Sequence, residues 1–400
     1  MQRQLISDKL CTGCGLCEGI FKSAKVEMKY SPKGYLRPLL KSKLNRSEKS
    51  IFKQICPGLN ITSEKENPAI FHPIWGTTYD CFTAYSSEDQ IIKESSSGGV
   101  ISSILIYLIE KKIVDAVIHI GMNKGNPFDN EIKVSKTKEE ILSNSNSRYS
   151  PSSPLKTIKE LLDLNLKYAF VGKPCDVQGL KLYAKFDNRV NTNILYTLSF
   201  FCAGIPSIQS TYKLVEEFNL SKDEIEEIYY RKNGWPGNFH IKTKTKNVFE
   251  RNYKYAWGQN LGRSLQFRCK ICPDGIGELA DISCADAWKT FDKKGFPSFL
   301  NDEGRSLVFI RSLKGKALMS DIILDKKVIV ERVIDNLDEV NKIQPGQYRR
   351  KIELKYRLMA VTILLFKKLN ISEHFIIKKN ELSNKKRIRA LLGTIKRFFN

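Results

Sequence analysis

From Trp75 onward, short apolar runs alternate with stretches of helical periodicity, the pattern of a mixed α/β domain. Val100–Glu110 is apolar-rich and follows Ser95-Ser96-Ser97-Gly98-Gly99, which predicts a helix with a polar start. Residues 115–122 and 168–171 read as strands, the second ending at Gly172-Lys173-Pro174-Cys175. Residues 194–201 read as a long buried strand that runs into Cys202-Ala203-Gly204. Ile205-Pro206-Ser207 then opens a helix over about 207–218. Asn233-Gly234-Trp235-Pro236-Gly237 is dense in turn formers and predicts a hairpin connection. No internal repeat or low-complexity tract interrupts this order.

The two ends follow different patterns. Residues 1–66 form a cysteine-bearing module, and Ser63-Glu64-Lys65-Glu66-Asn67-Pro68 reads as a linker. At the other end, residues 358–366 are mostly apolar but fall short of the ~18 that a spanning helix needs. Ile388, Leu391, Leu392, Ile395, Phe398 and Phe399 recur at helical spacing among Lys385, Lys386, Arg387, Arg389, Lys396 and Arg397. That pattern predicts a basic amphipathic helix, suited either to an anionic membrane interface or to packing with a solvated basic face. The predicted architecture is mixed α+β and α/β: a ferredoxin-like module (1–66), a mixed-sheet domain (75–345) and a helical basic tail (346–400).

The module's chemistry lies in its cysteines. Cys11-Thr12-Gly13-Cys14-Gly15-Leu16-Cys17 places three thiols at three-residue intervals, and Cys56 is followed by Pro57. Three such thiolates wrap one face of an iron–sulfur cube, and a Cys-Pro elsewhere supplies the fourth ligand. Gly13 and Gly15 let the loop turn tightly and aim N–H groups at sulfur. A two-cluster ferredoxin would carry another cysteine at position 21, where Phe21 stands. One 4Fe-4S cluster on Cys11, Cys14, Cys17 and Cys56 is therefore expected. Structural zinc, which favours separated C-x2-C pairs often with histidine, and disulfides are the alternatives.

Composition narrows the setting. The chain is 42% hydrophobic, enough for a sizeable core. Ten cysteines behind a polar N-terminus argue for metal ligation in a reducing, cytoplasmic compartment. The net charge is +23, of which +12 falls within residues 349–400. A basic tail can meet nucleic acid, an anionic membrane or an acidic protein. Nucleic acid is set aside, because the charge is concentrated away from the cysteine modules.

Four further cysteines sit at structured positions: Cys175 and Cys202 at strand ends, and Cys269 with Cys272 in a C-x2-C pair before Pro273. Strand ends converge on one sheet edge, where sites form. Iron–sulfur and zinc both accept four thiolates. Cys81 reads as a core residue, and Cys284 is open between core and site. His119 and His240 are proton-donor candidates by residue type alone, with core or surface as the plainer role.

Several runs together resemble one family. They are Ser97-Gly98-Gly99, Ser147-Arg148-Tyr149, Val171-Gly172-Lys173-Pro174-Cys175, Phe201-Cys202-Ala203-Gly204-Ile205-Pro206-Ser207, Cys269-Lys270-Ile271-Cys272-Pro273-Asp274 and Glu278-Leu279-Ala280-Asp281-Ile282-Ser283-Cys284-Ala285-Asp286-Ala287-Trp288. In this order, with the cysteine module before them, they resemble the coenzyme F420 hydrogenase/dehydrogenase beta-subunit family over about residues 5–310. The resemblance implies FAD and a 4Fe-4S cluster in the main domain. Cys175, Cys202, Cys269 and Cys272 become ligands of a second cluster.

Ser96, Ser97, Gly98, Gly99, Ser147, Arg148, Tyr149, Lys173 and Pro174 become the flavin-binding candidates. The 95–99 loop could offer donors to a phosphate or the flavin, though a plain helix cap is the alternative. Lys173 could stabilise reduced-flavin charge, and Arg148 and Tyr149 could grip or stack, with a solvated loop as their alternative. Ala285 and Lys173 depart from the glycine and threonine common in the family.

The implied activity is an oxidoreductase passing electrons from a ferredoxin-like donor through both clusters to FAD. Relatives from surface-polysaccharide gene clusters, together with the basic tail, point to a small-molecule or lipid-linked sugar substrate beside an anionic membrane. The other reading is an electron-transfer subunit that uses F420 itself.

Overall fold

The computed structural model of the chain describes residues 5–62, 70–300, 302–366, 368–377 and 382–399. The expected linker at 63–68 lies outside the described residues. Eight strands form the main sheet. Their spatial order is Val328–Val333, Asp80–Ser86, Ser306–Ile310, Ile282–Asp286, Ile194–Phe200, Tyr168–Gly172, Ala116–Met122 and Asn130–Ser135. Four neighbouring strands, from Ile282–Asp286 to Ala116–Met122, are parallel, and the strands flanking them pair antiparallel.

Parallel strands are joined by crossover segments that cover both sheet faces, so they read as nearly continuous apolar runs. On one face, helices Val100–Glu110 and Leu313–Leu324 set Ile104, Leu105, Leu108, Leu318, Met319 and Ile322 against Ala169, Leu198, Ile282 and Val308. On the other, helices Ile158–Asp163 and Pro174–Tyr183 bring Ile158, Leu162, Val177 and Leu180 over Ile118, Tyr168 and Phe170. Leu16 and Ile55 of the N-terminal module join that second cluster. A Cβ at Gly19 would stand 2.4 Å from the Leu155 carbonyl oxygen, so the module helix Leu16–Phe21 approaches residues 153–158 closer than a side chain permits.

The predicted elements appear as Ala116–Met122, Tyr168–Gly172, Ile194–Phe200 and Ile208–Glu216, and Val100–Glu110 is helical as expected. The 233–237 turn joins the antiparallel strands Ile225–Lys232 and Asn238–Thr243. Cys81 and Cys284 are both buried on strands of the main sheet.

The tail is longer in helix than its apolar run. Pro345–Leu365 is one helix of 21 residues, and Asn384–Phe399 packs against it. No described helix is long and apolar enough to cross a membrane. Phe398 packs half-buried against the cluster that Phe267 shares with the N-terminal module, its ring 5.3 Å from that of Phe267. The buried residues of the last helix are Ala390 and Thr394, small side chains that allow close helix approach. Ile388, Leu392 and Phe399 stay exposed, while Leu391, Ile395 and Phe398 are half-buried.

One buried group makes the fold acid-sensitive. His119 is enclosed within the sheet, with Nε2 2.7 Å from Ser135 Oγ, and burial pushes its pKa down to about 4. It is neutral in the folded chain and protonates near pH 6.5 when unfolded. Its stabilising contribution is therefore complete above pH 6.5 and is lost as pH falls toward 4, a loss of about 3 kcal/mol. His119→Gln should flatten urea midpoints across that window, whereas an unchanged slope would assign the acid sensitivity elsewhere.

Candidate functional site

The first four cysteines converge. Cys11 and Cys14 lie in the loop before Leu16–Phe21, Cys17 is in that helix, and Cys56 caps the helix Arg46–Ile55. Gly13 and Gly15 take φ of 82° and 81°, the left-handed turn that the loop needs. All four cysteines line one cavity, walled by Ile6, Leu16, Met28, Phe52 and Ile55. Burial pushes every one of these thiols upward, Cys14 to about 12. Neighbouring thiolates add to the rise at Cys17 and Cys56. Bare thiolates are thus disfavoured here, and a metal must displace the protons to bind.

The second set forms at the C-terminal edge of the parallel strands. Tyr168–Gly172 leads to Cys175, and Ile194–Phe200 leads to Cys202. Burial first, then Cys269 and Cys272, push the Cys202 thiol up to about 12. Cys175 is raised by burial and Asp176, with Cys272 and Cys202 adding to it. Cys269 Sγ accepts from Ile205 N and Gln266 Nε2, each at 3.4 Å. The Cys202 carbonyl is held by Gln347 Nε2 at 3.0 Å and Arg350 Nη1 at 3.3 Å, both from the tail helix.

The flavin candidates fall into three places. Ser96 Oγ accepts from Ser147 N at 2.7 Å, joining two of the predicted runs. Ser97 Oγ donates to Arg305 O at 2.9 Å, and a Cβ at Gly98 would stand 2.7 Å from Ser306 N, so this loop lies tight on the sheet. Gly99 caps Val100–Glu110 with φ of 75°.

Arg148 is spent on the protein itself. Its guanidinium donates to Asn130 Oδ1 at 2.7 Å and to the carbonyls of Ile228 and Pro127 at 2.5 and 2.9 Å. Tyr149 packs 4.7 Å from Trp257, ring to ring. Lys173 sits apart from these, beside the second cysteine set. Its Nζ donates to Ser152 Oγ at 3.0 Å and pairs with Asp176 at 2.7 Å. Burial lowers the Lys173 pKa, but Asp176, Cys175 and Cys202 outweigh it and hold the side chain cationic. Pro174 is the first residue of the helix that carries Cys175.

One segment ties these places together. Residues 147–155 begin at Ser96, pass Lys173 through Ser152, and end where Leu155 N donates to Cys14 O at 3.0 Å. The sequence reading missed a group on the same sheet edge. Arg231 is fully enclosed and forks onto Asp286, with contacts of 2.9 and 3.0 Å. Trp235 Nε1 donates to the same carboxylate at 2.9 Å, and Trp235 stacks on Trp288 at 4.6 Å. Tyr253 lies against both Arg231 and Trp288. Asp286 and Trp288 stood in the quoted signature, but Arg231 and Tyr253 carried no spacing signal. His240 pairs with Glu250 at 2.8 Å on the peripheral hairpin.

Comparison with known proteins places the chain in a family. Residues 81–159 match the family model of the coenzyme F420 hydrogenase/dehydrogenase beta subunit N-terminal part, and residues 165–336 that of its C terminus. The chain is 27% identical to the coenzyme F420 hydrogenase subunit beta of Methanosarcina barkeri, over 68% of this chain and 89% of that one. It is 26% identical to the subunit of the same name from Methanococcus voltae, over 77% and 97%. The coenzyme F420-dependent sulfite reductase of Methanocaldococcus jannaschii is 22% identical over 87% of this chain and 50% of that protein.

Among solved structures, a chain of the F420-reducing [NiFe] hydrogenase complex from Methanosarcina barkeri shares the fold. Its TM-score is 0.57 at 24% identity, over 75% of this chain and 98% of that one. None of these relatives carries a name that points to polysaccharide biosynthesis, so that expectation gains nothing from them. With matches running from residue 81 to residue 336, the chain belongs to the coenzyme F420 hydrogenase/dehydrogenase beta-subunit family.

Proposed function

We propose that the chain is an electron-transferring oxidoreductase subunit that exchanges a hydride with coenzyme F420 and single electrons with a redox protein partner. The observation that carries this reading is the convergence of eight cysteines into two adjoining sets, the second beside the sheet edge that holds Lys173 and the Ser96–Ser147 contact. The relatives' names supply F420 as the acceptor class. The cofactors proposed with this reading are a 4Fe-4S cluster on each cysteine set and FAD; when bound, clusters move single electrons and a flavin converts them to hydride chemistry.

We read the first set as a cluster site because its four thiols surround one cavity. Zinc would draw four thiolates to about 2.3 Å from one point. Lys173, fixed by Asp176 and Ser152, keeps a permanent positive charge where reduction adds negative charge. The Trp235–Trp288 stack stands at the same edge.

Anaerobic purification with iron, sulfide and flavin quantitation, followed by F420 reduction with a chemically reduced ferredoxin, tests the proposal. Chain-dependent F420 reduction supports it. Full cofactor content with no F420 turnover would move the acceptor to another substrate, and a colourless zinc protein would end the redox reading.

The exposed tail residues favour one added location. Ile388, Leu392 and Phe399 project from a helix rich in Lys and Arg, as an anionic membrane surface requires. The double variant Ile388→Glu/Leu392→Glu should lose most binding to anionic vesicles with unchanged thermal stability. Equal vesicle binding by the variant would remove the membrane from the account.

A further inference from the structure

Two side chains lie between the cysteine sets. Gln266 Nε2 donates to Thr12 O at 3.2 Å, inside the first cysteine run, and to Cys269 Sγ at 3.4 Å, in the second. Its Oε1 accepts from Arg37 Nη1 at 3.0 Å. Arg268, two residues on, donates from Nη2 to Pro57 O at 3.2 Å, directly after Cys56. In the chain it stands directly before Cys269 of the second set. Arg268 therefore faces both sets at once.

Its hydrogen bonding is incomplete. Arg268 is only 2% exposed, yet Nε and Nη1 have no acceptor among the described residues. An enclosed guanidinium with unmade bonds is costly, because charged donors lose water and gain nothing in exchange. A negative acceptor lying between Cys56 and Cys269 would complete these bonds and balance the charge. Thiolate and sulfide sulfurs of bound clusters meet that description, and hydrogen bonds and nearby charge are what tune cluster potentials.

We propose that Arg268 is a shared positioning residue for both clusters, donating to sulfur on each side and raising both reduction potentials. The proposal rests on the two-cluster reading above. When one electron passes between the sets, one cluster is oxidised by one electron and the other reduced by one. The total charge around Arg268 is unchanged, so a cation common to both favours neither end of the step. It also offsets the repulsion between two electron-rich groups held close together.

EPR-monitored potentiometric titration of the full chain, purified anaerobically, tests this with Arg268→Met and Arg268→Lys. Arg268→Met should lower both midpoints by at least the 59 mV that corresponds to tenfold in a one-electron equilibrium. Arg268→Lys, which keeps the charge, should lower them less. Unmoved midpoints at full iron and sulfide content, or a fall in one cluster alone, would overturn the shared role.

If Arg268→Met does not retain its iron, pulsed EPR on chains labelled with 15N-arginine decides. Each reduced cluster of the unsubstituted chain should show a 15N coupling that disappears in Arg268→Lys. Couplings that persist in Arg268→Lys overturn the proposal. An unsubstituted chain lacking iron and sulfide overturns the two-cluster reading, and this inference with it.

Discussion

Cys202→Ser should cut the iron of the anaerobically purified chain from about eight atoms to about four and reduce F420 turnover to background. Cys202 ends a central parallel strand, and its thiol is flanked by Cys269 and Cys272. Its backbone carbonyl is held by Gln347 and Arg350 of the tail helix. Serine offers a hydroxyl whose proton is far harder to displace than a thiol's, so the site loses a corner. The first set should keep its iron, because its four ligands come from the module alone.

Cys81→Ser and Cys284→Ser are the controls. Both residues are buried on strands, and their substitution should leave the iron unchanged. Iron content unaffected by Cys202→Ser would remove that residue from the ligand set. Roughly one zinc per four cysteines in place of iron would recast both sites as structural.

Arg231→Met should lower stability by about 3–5 kcal/mol, because it strands the Asp286 carboxylate at an edge that its partner had neutralised. The pair is bidentate, and Asp286 takes a further bond from Trp235 Nε1. Burial lowers the Arg231 pKa, but Asp286 reverses that and holds the guanidinium charged. The double variant Arg231→Met/Asp286→Leu should recover much of the loss, since it leaves no buried charge unpaired and only Trp235 Nε1 loses an acceptor. Urea midpoints followed by circular dichroism measure this. A loss under about 1 kcal/mol for Arg231→Met would place the pair among weakly contributing surface bridges. Flavin content of the single variant shows whether the aromatic wall of Trp235 and Trp288 also supports the cofactor.

Much of this was legible in the chain, unevenly. The strand at 194–200 and the helix Val100–Glu110 could be read because both are buried over most of their length, so their apolar runs are nearly unbroken. The tail helix Pro345–Leu365 could be read only in part. Its buried positions include Gln347, Lys351 and Arg357, charged or polar residues that face partners instead of solvent. With these interleaved among the buried Leu354, Ala360 and Val361, the apolar stripe is broken and hydropathy reveals only its C-terminal part. The family resemblance made Arg148 a cofactor-gripping candidate, yet its donors go to the backbone carbonyls of residues 127 and 228.

The sequence by itself determined the candidate cysteines. Thiol spacing in residues 11–17 and the Cys-Pro at 56 are local geometry, and local geometry survives in a linear string. It also determined the family, because the quoted runs keep their order along the chain. Only the tertiary structure decided how the two sets relate. Gln266 and Thr12 are 254 residues apart, and their hydrogen bond joins loops that no spacing rule connects. The same holds for Arg231 with Asp286, and for Arg268 with Pro57. A buried charge must find its partner wherever folding brings one, and that partner's position is fixed by packing rather than by sequence distance.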